Sequence, residues 1–134
     1  MSQLTANANL TFEVPTDRND VPILDNVIVY ASSAVGLSGG YGRQLVAGDV
    51  FAGFAEQKVD NTETGHASGL KNIPVRKRGT VLLTVTCAIT DVGADVYASD
   101  GNTYTLTVGS NSFIGKLTRY VSATSAMVTF NVGA

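Results

Sequence analysis

Apolar and polar positions alternate along this chain in short runs separated by glycine-bearing turns, and the densest series lies between Asp49 and Tyr120. Val81, Leu83, Val85 and Cys87 share one face of an extended run, and Leu82, Thr84 and Thr86 share the other. A period of two marks a strand half buried against a core, and this run, the best of its kind, is expected to lie centrally in its sheet. Near the end of the chain Ala126, Val128, Phe130 and Val132 point one way while Met127, Thr129 and Asn131 point the other. That run is expected to form a hairpin with Phe113–Val121. The run from Val50 to Val59 is apolar on both faces near its start, with Val50, Ala52 and Phe54 on one side and Phe51, Gly53 and Ala55 on the other. Such a strand is either sandwiched in a core or packed against another subunit. Asn26–Ala31 reads as a short strand, and Ile73–Val81 as another with Pro74 at its start and a turn or bulge at Gly79.

The turns have their own signals. Asp100-Gly101 between Asp95–Ala98 and Thr103–Val108 predicts a hairpin, because glycine accepts the positive φ such turns demand. Gly36, Gly39, Gly40 and Gly42 crowd one stretch. A phosphate-binding loop needs Lys and then Ser or Thr after its last glycine; Arg43-Gln44 stands there, so a tight turn and bulge region is expected. Asp60–Leu70 is a polar, exposed loop. No helical period of useful length is present. The fold class is therefore all-β, a small antiparallel barrel or sandwich of about seven to nine strands.

The first 24 residues differ from the rest. Leu10, Phe12 and Val14 alternate with polar residues only briefly, Pro15 and Pro22 favour extended backbone, and Asp17–Asp20 is a turn signal. An extended N-terminal arm over 1–24 is expected, either a disordered tail or a strap that orders against a partner, with the β-domain over 25–134.

At 134 residues the chain fits one domain, large enough to fold without disulfides. Cys87, the only cysteine, is expected to be a small buried hydrophobe. Charged residues make up only 15% of the chain, against about a quarter in ordinary domains. Uncharged faces are easier to desolvate than charged ones, so the composition suits a protein with surfaces to cover. A net charge of −2 argues against a nucleic-acid partner. No run approaches the roughly 18 apolar residues that cross a bilayer, so no membrane partner is expected. Met1–Leu10 lacks the basic and apolar regions of a signal peptide, which points to synthesis in a cytoplasm.

Candidate chemistry is sparse. His66 is the single histidine, whereas metal sites and nucleophilic triads gather several ligands or an oriented base. Asp91, Asp95 and Asp100 stand beside turns, where aspartate bonds its own backbone. No catalytic residue, metal or cofactor is expected, and the protein is not expected to be an enzyme. Arg76-Lys77-Arg78 holds three of the nine cations. It fits a strand end guarded against edge pairing, or a contact with an acidic protein surface. An alternative function, a carbohydrate- or receptor-binding β-module of a phage fibre, requires exposed aromatic platforms, for which Tyr41, Tyr104 and Tyr120 are the candidates.

One family pattern runs through the chain: Ala47-Gly48-Asp49-Val50-Phe51-Ala52-Gly53, Val59-Asp60-Asn61, Val75-Arg76-Lys77-Arg78-Gly79, Val92-Gly93-Ala94-Asp95-Val96-Tyr97-Ala98-Ser99-Asp100 and Ile114-Gly115-Lys116. In these motifs and their order the sequence resembles the capsid cement, or head decoration, proteins of tailed phages. The resemblance implies a β-rich, non-enzymatic protein made in a host bacterium. It would assemble as a homotrimer on the outer surface of the virion and bridge neighbouring major capsid proteins. Linked patches on such a trimer raise avidity by ~10²–10⁴. The residues expected to meet the capsid are Leu10, Phe12 and Val14 of the arm and Arg76, Lys77 and Arg78 of the basic cluster.

Overall fold

The computed structural model describes residue 6 and residues 17–132. Twelve strands occur among them: β1 (Arg18–Pro22), β2 (Ile28–Val29), β3 (Ala34–Ser38), β4 (Tyr41–Gln44), β5 (Val50–Ala55), β6 (Val59–Asp60), β7 (Asn72–Arg76), β8 (Arg78–Thr84), β9 (Asp95–Asp100), β10 (Thr103–Thr105), β11 (Ser112–Ser122) and β12 (Ser125–Asn131). The helical element is one 3₁₀ turn, Ile89–Asp91. The all-β, antiparallel reading therefore holds, with more and shorter strands than the sequence suggested.

The strands form two five-stranded sheets, ordered β1-β7-β5-β3-β4 and β10-β9-β11-β12-β8, and β2 pairs with β6 beside them. The first sheet curls until its ends meet. Ile23 bridges Gly42, and the Leu24 N–H bonds the Gly42 carbonyl at 2.9 Å. Val21, Ile23, Val35, Ile73 and Val75 fill this curl as one core. Leu83, Val85, Val96, Leu117, Val128 and Phe130 belong to a second, larger core over the other sheet.

β5 joins the two cores. Its ladder with β3 slips between Val35 and Gly36, and the extra residue sends Phe51 and Phe54 to the same side. There they meet each other at 5.2 Å between ring centroids and Phe130 at 6.1 and 4.8 Å, all edge-on. Ala52 and Ala55 face the first core instead. Strict alternation had placed Phe54 with Ala52, and Phe51 with Ala55; the bulge reverses that pairing. Gly53 sits in the bulge at φ 132°, where a Cβ would run into the Arg76 carbonyl. A strand apolar on both faces here means one sandwiched between two cores.

Three further expectations need correction. The run Val81–Cys87 buries the face that alternation assigned to it, but β8 stands at an edge of its sheet, not at the centre. Alternation reports one covered face and carries no information about how many neighbours a strand has. The Asp100-Gly101 hairpin forms, yet Gly101 is absent from the positive-φ residues. A side chain there would collide with Ser33 Oγ, and the Ala34 N–H bonds its carbonyl at 2.9 Å. Close approach, not turn handedness, requires the glycine.

The third correction concerns the arm over 1–24. Its last residues belong to the first sheet: Arg18–Pro22 pair with Asn72–Arg76, and Ile23 is fully buried. Leu10, Phe12 and Val14 lie outside the described residues.

Candidate functional site

β7 and β8 are one bent path interrupted at Lys77, and the basic cluster sits at the bend, where the two sheets meet. The Lys77 N–H donates to the Asp17 carbonyl at 2.7 Å, and its carbonyl accepts the Val132 N–H at 2.8 Å. One residue thus fastens the entry of β1 and the exit of β12 to the same point. The β1–β7 register sets Arg18 opposite Arg76. Arg18 Nε and Arg76 Nη2 converge on Glu56 Oε1 at 3.1 and 3.4 Å, and Arg78 Nε reaches Asp17 Oδ1 at 2.6 Å.

Asp17, Arg18, Arg76 and Arg78 line a shallow depression of about 390 Å³. With Lys77, this seam carries four cations, and among the described residues the carboxylates of Asp17 and Glu56 stand against them, in a chain whose net charge is −2. Ion pairs this exposed contribute about 0–1 kcal/mol each. Their value lies in the field they present to an approaching partner. Arg18 and Glu56 were missed in the linear reading. Nothing local marks them, since β1–β7 pairing brings Arg18 to the cluster and β5–β7 pairing brings Glu56.

A second depression, of about 350 Å³, lies where β5 meets β11 and β12, lined by Val50, Phe51, Phe113, Ile114 and Val132 with Asp49 and Asn131 at its rim. Val50 and Phe113 are 67% and 51% exposed, and Phe113 stands edge-on to Tyr97 at 6.0 Å. The Asp49 charge is committed inward. Its carboxylate accepts from Arg43 Nε at 3.0 Å, Arg43 Nη2 at 2.9 Å and the Val46 N–H at 3.0 Å.

The groups weighed for chemistry are dispersed, each bonded locally. His66 Nδ1 meets the Asp25 carboxylate. Asp91 accepts the Ala88 N–H at 2.8 Å, Asp95 pairs with Lys116 at 2.6 Å, and Asp100 accepts the Asn102 N–H at 2.8 Å. Cys87 is buried and free, as expected. Among the described residues no group of three or more His, Cys, Asp or Glu side chains could hold a metal ion, and no helix is long and apolar enough to cross a membrane.

Tyr104, a candidate for the exposed aromatic platform that the carbohydrate- or receptor-binding alternative requires, is buried in the larger core. Its hydroxyl donates to the Gly101 carbonyl at 3.3 Å. Burial, helped by the nearby Asp100 charge, pushes the phenol up to about 12. In a spectrophotometric titration, one of the five tyrosines is expected to ionise near that value, and Tyr104→Phe should remove that step. The unfolded phenol releases its proton near pH 10, so stability should fall as pH rises from about 10 toward 12. Ionisation of all five near 10 in the folded protein would contradict the burial.

Compared with family models, curated proteins and solved structures, the chain has no match.

Proposed function

We propose that this protein is a structural component of a phage virion that decorates the outside of the head, as a trimer, and stabilises it by bridging neighbouring major capsid proteins. It converts no substrate. The observation that carries the reading is the cationic seam at the bend of β7 and β8, held on a body that two cores make stiff. Among the described residues Arg18 and Arg76 share one carboxylate there, and both guanidinium groups remain exposed to an acidic surface. A rigid body loses little entropy on docking, so modest contacts suffice when several copies bind together. The exposed Val50 and Phe113 add apolar surface of the kind that protein contacts cover.

The test is to add the purified full chain to empty heads of a tailed phage lacking decoration and measure co-sedimentation, with solution mass alongside. Saturable binding by a trimer supports the reading. The double substitution Arg18→Glu with Arg76→Glu should weaken binding about tenfold or more and flatten its salt dependence. Arg18→Gln with Arg76→Gln, which does not crowd carboxylates around Glu56, should weaken binding in the same direction and cost no more than about 1 kcal/mol of stability per exposed ion pair lost. A monomer that fails to bind heads of any salt history would overturn the reading.

A further inference from the structure

We propose that the free edge of β8 is a strand-addition site for an extended segment of a partner protein, uncharged and β-forming along its length and acidic at its carboxyl-terminal end. The proposal deepens the decoration reading and rests on it only for the partner being the shell protein.

Among the described residues β8 is laddered to β12 alone, and β10, at the other edge of the same sheet, approaches it without pairing. The bonds that fix its phase use the Lys77 carbonyl and the Val85 and Cys87 N–H groups. In a strand the N–H and C=O of one residue point to the same side and alternate along the chain. The backbone groups of Thr80, Leu82 and Thr84 therefore point away from β12, and among the described residues nothing pairs with them.

Natural edges are guarded by charge, proline, bulges or a covering segment. This one has no charged side chain and no proline from Gly79 to Thr90, its β8–β12 register runs without a shift, and Leu82 is 56% exposed. A strand so composed pairs readily with another, so a soluble protein keeps it only where a partner covers it. The outer face supplies a register. Thr80 Oγ1 meets Thr129 Oγ1 at 2.9 Å, which meets Thr118 Oγ1 at 3.3 Å. This hydroxyl row crosses the sheet and stops at β8, where a Thr or Ser on an added strand would continue it.

Charge chooses the occupant. β8 begins at Arg78, next to Lys77 and Arg76, so one end of the edge is basic and the remainder neutral. Every ladder of the two large sheets is antiparallel. An added strand in that sense brings its carboxyl-terminal end to the seam, where acidic residues would stand beside Lys77 and the Arg76 side chain, which is 57% exposed. Backbone bonds give such a strand its affinity and the charged end its direction.

The experiment uses the full chain and a labelled synthetic peptide of alternating Thr and Val ending in Glu-Glu-Glu, with a control ending in Lys-Lys-Lys. The acidic peptide should bind and slow hydrogen exchange at the Thr80, Leu82 and Thr84 amides; the control should bind about tenfold or more weakly. Thr84→Pro, which removes an outward donor, and Leu82→Lys, which adds a guarding charge, should each abolish peptide binding and lower occupancy on heads. Equal binding of both peptides overturns the proposal. So does protection of those three amides in the free protein. Protection that persists on dilution would show that the chain's own residues 1–16 cover the edge, and protection that grows with concentration would show a second copy. If either edge variant binds heads as the unsubstituted chain does, the proposal falls and decoration stands. If the unsubstituted chain ignores heads, decoration falls, and the peptide result still decides whether the edge accepts a strand.

Discussion

Replacing Phe54 with alanine is expected to cost about 3–5 kcal/mol of stability. The ring is the hub of the larger core, edge-on to Phe51 at 5.2 Å and to Phe130 at 4.8 Å, and tilted 6.3 Å from Tyr104. Removing it leaves a cavity at the junction of two sheets, on the strand that also lines the other core through Ala52 and Ala55. Neither sheet can close the void without moving the other, so relaxation is poor. A domain stable by about 5–15 kcal/mol loses a large part of its margin, and the melting midpoint should fall by roughly 10–20 °C. Val50→Ala, four positions earlier on an exposed site, is the control and should stay within about 0.5 kcal/mol. A Phe54→Ala chain that melts within a few degrees of the original would show that the two cores are not joined through β5.

The reach of the sequence follows from what periodicity can encode. It identified the runs of β8, β11 and β12 and the buried faces of β8 and β12, because one covered face imposes a period of two on the side chains. It identified both hairpins, one because Asp100-Gly101 interrupts that period and the other because Phe113–Val121 and the run after it are two strand-like runs joined by a short break. It misassigned β5, because the bulge at Gly53 breaks the period inside a run where every residue is apolar or glycine, leaving no polar position to report the slip. It placed β8 centrally because edge position is a property of backbone pairing, which side-chain pattern does not record. It put Arg18–Pro22 in an arm because a lone Val21 among charged and polar neighbours is too little pattern to mark a strand. That residue is buried only through pairing with a segment some fifty positions away. The seam was half visible: Arg76-Lys77-Arg78 is a run anyone can read, whereas Arg18 and Glu56 join it only after β1, β5 and β7 have come together.

Asp49→Asn is expected to destabilise the fold by about 2 kcal/mol, the range for losing charge-assisted hydrogen bonds at a largely buried site. The Asp49 side chain is 9% exposed and closes the turn from Leu45 into β5, holding Arg43 of β4 and the Val46 N–H together. Gly36 of β3 accommodates the clasp, since a Cβ there would stand 2.6 Å from Asp49 Cβ and Oδ2. Burial alone would push this carboxyl up, but the Arg43 fork, the Val46 N–H and the Arg43 charge outweigh it and hold it below the ordinary carboxyl value. As pH falls, the unfolded chain takes up the proton first, at about pH 4. The clasp is therefore fully effective above that value and is lost as acid titrates the folded carboxyl. Asp49→Asn should lower stability at neutral pH and make the acid limb of the stability curve shallower. Asp60 is also held below the ordinary carboxyl value, by the Thr62 hydroxyl and N–H, so the Asp60→Asn chain is measured alongside to separate its share of the acid limb from that of Asp49. An Asp49→Asn chain as stable as the original, with the same acid limb, would mean that the carboxylate serves no structural end. Asp49, at the rim of the Val50–Phe113 depression, would then have to be counted among the residues that face a partner.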